Sequence, residues 1–185
     1  HIGCYIGGTY VGALSYADDI VLIAPTAFAM RRMLSLCDQF ASEYRINFNS
    51  QKSKCVVLLP KSRKFIAPYL NDYQFSIGGQ PMEFVDSYCH LGHIINSQFT
   101  DDDDIYKRKA DFIGQVNNLL CHFRAVNPVV KCKLFFSYCS SFFGSELWSL
   151  DNDRINDICA SWRKSIRRIW NLPNTTHCFL LPLLC

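Results

Sequence analysis

Two adjacent carboxylates, Asp18 and Asp19, interrupt 14-LSYADDIVLIAP-25, a run otherwise made largely of strand-forming and apolar residues. A tight turn at the end of a rigid hairpin would project both acids past the strand ends. Hard divalent cations such as Mg²⁺ take oxygen ligands, usually one or two carboxylates plus substrate phosphates. A pair of such ions activates the attacking oxygen of a phosphoryl transfer and steadies the leaving one. Asp is also a common turn former, so the pair by itself leaves a plain hairpin tip as an alternative.

Three other groups of residues invite a chemical reading. On 154-RINDICASWRKSIRRIW-170, Arg163, Lys164, Arg167 and Arg168 fall at i, i+4 spacing opposite an Ile/Trp face, and such a stripe can follow a phosphate backbone with sequence-independent affinity. Lys131 and Lys133, at the start of the preceding helix, are expected to extend that surface. The run 101-DDDD-104 resembles a cation site, but it precedes a helix expected to begin near Ile105, with Lys107, Arg108 and Lys109 close by. Acids at the positive end of a helix dipole favour a solvated helix start, and no Gly or bidentate Glu stands at calcium-loop spacing. The ten cysteines include no CxxC pair; buried, reduced thiols fit them better than zinc ligation. His90, His93, His122 and His177 form no metal-ligand pattern, and His177 reads as structural.

The elements that must position these groups follow from the 185-residue pattern. The chain is 49 % hydrophobic and 19 % charged, enough apolar material for a core and unlike a disordered chain. Residues 1–104 carry 8 Lys/Arg against 11 Asp/Glu, net −3, and residues 105–185 carry 11 against 5, net +6. A basic second half is the footprint expected of a polyanion partner. No apolar run reaches the length of a membrane span. Gly7-Gly8 marks a hairpin turn and a second hairpin carries Ala17, Asp18 and Asp19 at its tip, as paired strand formers around a turn predict. Thr26 is a good N-cap for an amphipathic helix over 27–44, lined by Met30, Met33, Leu34, Cys37, Phe40, Ala41 and Tyr44. A turn over 47–54 feeds a short buried strand, 55–59; Gly78-Gly79 tips another hairpin within an irregular 61–80; and 84–96 reads as a strand pair around Gly92. Three helices follow. Ile105, Phe112, Val116, Leu119 and Phe123 line the first; Val130, Leu134, Phe135, Tyr138, Phe142 and Leu147 the second; Ile155, Ile158, Cys159, Trp162, Ile166 and Ile169 the third.

YADD in this setting, followed by an amphipathic helix and an Asn-x-x-Lys-Ser turn, resembles the palm of a reverse transcriptase, closest to the non-LTR (LINE-type) retrotransposon enzymes. The matching stretches occur in order: 10-YVGALSYADDIVLIAP-25 resembles the catalytic hairpin and 46-INFNSQKSKCVVL-58 the block after it. Next, 90-HLGHII-95 resembles the primer grip, with His90 in the usual Tyr place, and 172-LPNTTHCFLLP-182 the Thr-His-x-x-Leu-Leu-Pro after the thumb. The resemblance implies an α+β fold, with a partial palm (antiparallel sheet and packed helix) over 1–100. A helical thumb over 101–172 and a truncated post-thumb segment over 173–185 complete it.

It also implies roles. Asp18 and Asp19 correspond to the catalytic, metal-holding pair, for Mg²⁺ or Mn²⁺, and the first is the firmer ligand. Tyr16 and Ala17 correspond to positions near the primer end and incoming dNTP. Lys52 corresponds to a lysine near the triphosphate, where an ammonium offers charge and a transferable proton. Leu91 and Gly92 correspond to the primer grip. The implied partners are an RNA template, a DNA primer and dNTPs, and the implied place is intracellular, in the nucleus after cytoplasmic synthesis. The family completes its metal site with a third Asp from an earlier palm strand, yet the 13 residues before Leu14 hold no Asp or Glu. The chain is therefore expected to be part of a longer enzyme with fingers, upstream palm and an endonuclease. By itself it is expected to be inactive and, with uncovered strand edges, poorly soluble. The alternative is a degenerate, non-catalytic nucleic-acid-binding remnant.

Overall fold

The computed structural model describes residues 2–58 and 74–184. The chain is α+β: among the described residues, four α-helices accompany small, mostly antiparallel two-stranded sheets. It divides into two compact units, 1–86 and 87–185, a division earlier than the 100/101 boundary expected from the sequence.

The first unit opens with two hairpins. β1 (Tyr5–Ile6) and β2 (Thr9–Tyr10) pair through Gly7 and Gly8, whose φ of 53° and 87° supply the left-handed backbone that the turn needs. β3 (Ala13–Tyr16) and β4 (Asp19–Leu22) pair from Ala13↔Leu22 to Tyr16↔Asp19. α1 (Ala27–Tyr44) has the predicted bounds: the Thr26 hydroxyl accepts from the Ala29 N–H at 3.1 Å, and Arg45, at φ 54°, closes the C-terminus. Of its predicted face, Met33 and Leu34 are buried while Phe40 and Tyr44 are exposed. α1 packs on β6 (Ser76–Ile77), which turns through Gly78-Gly79 into β7 (Gln80–Pro81), and Asp38 Oδ1 accepts from the Gly78 N–H at 2.8 Å. The strand expected over 55–59 is shorter and less buried. β5 (Lys54–Cys55) runs parallel to β8 (Glu83–Phe84), tied by Lys54 Nζ to Glu83 at 2.6 Å, and only half-buried residues follow before exposed Leu58. Leu59 and positions 61–73 lie outside the described residues.

The second unit joins a hairpin, β9 (Ser87–His90) and β10 (His93–Asn96), to α2 (Asp102–His122), α3 (Pro128–Tyr138) and α4 (Arg154–Ile169). Phe112, Val116, Leu119, Cys132, Phe135, Ile166, Ile169 and Leu181 form its main core. Each fully buried side chain of this kind is worth about 1.5–3 kcal/mol in area removed from water. Ile105, Trp148 and Ile158 form a second cluster.

The predicted α3 face needs correction. Lys131, Cys132 and Phe135 point inward, whereas Val130, Tyr138 and Leu147 are exposed, and the helix stops at Tyr138. PVVKCKLFFSY is apolar on almost every side, so periodicity could not choose a face. The thiols also differ from expectation. All nine described cysteines are free, but only Cys132 and Cys139 are buried, and Cys89, Cys121, Cys159 and Cys178 are exposed. Burial raises the Cys139 thiol above its ordinary pKa, which keeps it protonated and unreactive.

The acidic run is corrected most. α2 begins at Asp102 rather than near Ile105, and Asp104 is wholly buried rather than solvated. Asp104 Oδ1 accepts from the Ile94 N–H at 3.0 Å and Oδ2 from Trp148 Nε1 at 2.8 Å. His93 Nδ1 lies 3.2 Å and the Arg108 guanidinium Nε 3.8 Å from Oδ2, though neither makes an aligned hydrogen bond. The neighbouring acids are equally engaged: Asp101 accepts from the Ser149 N–H, Asp102 from Asn152, and Asp103 from Asn96. The Asn152 bond, and after it the Arg154 ion pair, hold the Asp102 carboxyl below its usual range against some desolvation. Apart from Arg108 on α2 itself, these partners come from two other segments, 93–96 and 148–154, which no local pattern reveals.

Candidate functional site

The β3–β4 turn is built from two residues, Ala17 and Asp18, with Asp19 opening β4 opposite Tyr16. Ala17 adopts φ 53°, a left-handed conformation that costs a non-glycine residue about 1–2 kcal/mol. All of 13–20 is exposed, including Tyr16 at 68 %, so both carboxylates stand in solvent at the hairpin tip. Strain held at such a position is a recurrent property of functional sites.

Lys52 ends a separate turn of the same unit, and that turn explains its motif. Asn49 Oδ1 accepts from the Lys52 N–H at 3.1 Å, while the Asn49 carbonyl accepts from the Ser53 hydroxyl at 2.9 Å. The Asn and Ser of Asn-x-x-Lys-Ser thus fold the turn and leave the lysine exposed on it.

Leu91 and Gly92 form the β9–β10 turn with φ of 48° and 82°, again with a bulky residue in left-handed backbone. Arg108 reaches back from α2 to hold this turn, its Nη2 donating to the Gly92 carbonyl at 2.5 Å while its guanidinium lies 5.8 Å from the Phe143 ring centre. Arg108, Asp104 and His93 are brought together beside this turn, a grouping that the sequence reading missed. The i, i+4 spacing of Asp104 and Arg108 was their one available signal. Leu91→Asn, which suits a turn with two positive φ values, is expected to stabilise the chain by about 1 kcal/mol, as a higher urea midpoint. An unchanged or lower midpoint would show that Leu91 is not strained.

The basic residues divide. Arg163 and Arg167 are half-buried while Lys164 and Arg168 are exposed on α4, opposite the buried Ile158, Ile166 and Ile169. Arg167 donates twice to the Thr176 carbonyl, and Arg168 Nη1 donates to Asn117 Oδ1 at 2.8 Å. Lys131 and Lys133 do not share one surface: Lys133 is exposed, but Lys131 is buried with Nζ donating to the Arg124 carbonyl at 2.9 Å. His177 is structural, its Nδ1 accepting from the Phe179 N–H at 3.2 Å.

Asp18 and Asp19 fit a hard cation in donor type, being two exposed carboxylates on one turn. They fall short in number, since no group of three or more His, Cys, Asp or Glu able to hold a metal occurs among the described residues. No helix among the described residues is long and apolar enough to cross a membrane. No protein-family model matches the chain, and no curated protein or solved structure matches it either.

Proposed function

We propose that this chain is a portion of a non-LTR retrotransposon reverse transcriptase, spanning the catalytic hairpin of the palm, the primer grip and the thumb. One observation carries most of the weight: the Tyr-Ala-Asp-Asp string occupies a two-residue hairpin turn with Ala17 at φ 53° and both acids in solvent. Asp18, Asp19 and a third carboxylate from the rest of the enzyme would hold Mg²⁺, which when bound supplies charge for activating a primer 3′-hydroxyl and steadying pyrophosphate. Lys52 offers an ammonium toward the triphosphate, and Tyr16 a ring edge beside the nucleotide. The Leu91-Gly92 turn presents backbone to the primer strand. Lys133, Lys164 and Arg168 supply exposed cations for the template–primer backbone. Activity on an RNA template in the nucleus follows from the same reading.

The test is the coding sequence upstream of His1. An open frame carrying another palm Asp, whose product incorporates dNTPs on a primed RNA template with Mg²⁺, supports the polymerase. The 185-residue chain alone is expected to incorporate none, and measurable incorporation by it would overturn the three-carboxylate account. A stop codon or unrelated sequence upstream favours the second reading, a remnant that only binds nucleic acid. The acid-poor, cation-rich end of the helical unit supports that reading independently.

A further inference from the structure

The helical unit is electrically polarised along its length. α2 and α4 run parallel, since Asp102 meets Arg154 at 3.1 Å, Lys109 meets Asp157 at 3.1 Å, and Asn117 meets Arg168 at 2.8 Å. Every Asp and Glu of residues 87–185 lies either in 101–111 or in 146–157, toward the N-termini of these two helices. No acid occurs from 112 to 145 or from 158 to 185, whereas seven Lys and Arg do.

At the acid-free end a shallow notch of about 590 Å³ opens where α2 and α4 finish and α3 begins. Arg124, Lys131, Arg167 and Arg168 line it together with Asn171, and none of these four cations pairs with a carboxylate among the described residues. The hydrogen bonds they make go to neutral oxygens and a thiol: Lys131 to the Arg124 carbonyl, Arg167 to the Thr176 carbonyl and Cys178 Sγ, Arg168 to Asn117. Lys131 is only 7 % exposed, and its Nζ donates to a neutral partner, the Arg124 carbonyl, at 2.9 Å. A charge so placed is costly unless a counter-charge joins it. Helix dipoles do not cancel the excess. Two C-termini contribute about half a negative charge each and the α3 N-terminus about half a positive one, against four full positive charges.

We infer that this notch binds a phosphate group, with Arg124 and Arg168 as the exposed grips, Arg167 held in place by Thr176, and Lys131 as the charge at its floor. Guanidinium forks match phosphate oxygens, and a lysine serves as the point charge beneath them. Arg163 and Lys164, on the same helix, do not line the notch. The site is a local cluster of cations around a shallow notch rather than a continuous stripe, and it stands whether or not the chain polymerises. A nucleic-acid strand and a free oligophosphate both carry this chemistry, and competition between them tells the two sources apart.

The experiment uses the full 185-residue chain. A fluorescein-labelled single-stranded oligonucleotide is titrated by anisotropy at two salt concentrations, and tripolyphosphate is added as competitor. The double variant Arg124→Gln/Arg168→Gln is expected to bind about tenfold or more weaker, with a salt slope shallower by about two. Lys107→Ala, at the acid-rich end, is expected to bind like the parent. Thermal melting of each variant reports folding, and the exposed Arg124→Ala single variant, expected to lose several-fold, covers the case in which the double variant melts early. Displacement of the oligonucleotide by tripolyphosphate identifies free oligophosphate as able to fill the notch, and resistance identifies the strand; either supports the site. Binding of both probes unchanged in the folded variants, or of neither by the parent chain, overturns it.

Discussion

Asp104→Ala is expected to destabilise the chain by about 3–5 kcal/mol, read as a large fall in urea midpoint, because it breaks a buried charge cluster from one side. The carboxylate has no solvent exposure and is the acceptor for the Ile94 N–H and the Trp148 indole N–H. Removing it leaves both donors unsatisfied. It also leaves Arg108 beside a void, with its side chain only 16 % exposed. Asp104→Asn separates the contributions: the amide oxygen can still accept one hydrogen bond, so a smaller loss, about 1.5–3 kcal/mol, is expected from the charge-assisted bonding. A midpoint within experimental error of the parent for the alanine variant would show that the burial is not energetically coupled to folding. A solvated helix start would have predicted less than about 1 kcal/mol, so the two accounts differ well beyond error.

Under the proposed polymerase reading, Asp18→Asn is expected to lower Mg²⁺-dependent dNTP incorporation about 10²–10⁴-fold in an enzyme that supplies the third carboxylate. A ligand to the catalytic ions is worth several kcal/mol of transition-state charge, and each 1.36 kcal/mol is about a factor of ten. Asp19→Asn is expected to cost activity in the same direction, by less, if Asp18 is the firmer ligand. Both side chains are exposed, so the same substitutions should leave the melting temperature nearly unchanged, within about 0.5 kcal/mol of stability. That contrast is what distinguishes a catalytic role from a turn-forming one. Equal activity in parent and Asp18→Asn would remove the hairpin from the chemistry.

Local signals were legible in the sequence where the determining physics was local. Gly7-Gly8, Gly78-Gly79 and Leu91-Gly92 marked their turns because left-handed backbone favours glycine. Thr26 marked the start of α1 because a hydroxyl can satisfy a free helix N–H. The buried faces of α2 and α4 followed the 3.6-residue period because polar residues occupy their other sides, except at Phe123 and Cys159, which are exposed. What escaped depended on partners far along the chain. Asp104 meets Ile94 and Trp148, 10 and 44 positions away, and Lys131 turns inward at a helix whose apolar residues surround it. The two carboxylates of the hairpin tip were placed correctly, whereas the polarity of the helical unit required knowing that α2 and α4 lie parallel.

One turn of α2 also sets where the chain can be divided. Asp101, Asp102, Asp103 and Asp104 reach Ser149, Asn152, Asn96 and Ile94 respectively, so four consecutive side chains rivet three otherwise separate segments. Cutting at 100/101 would strip the rivet heads from the β9–β10 hairpin, leaving the Ile94 amide without its acceptor and Asn96 without its bond to Asp103. Cutting at 86/87 keeps every one of these fastenings on the same piece. The hairpin and the helices are thus a single mechanical part: whatever pulls on the Leu91-Gly92 turn pulls, through Arg108 and Asp104, on the axis of α2.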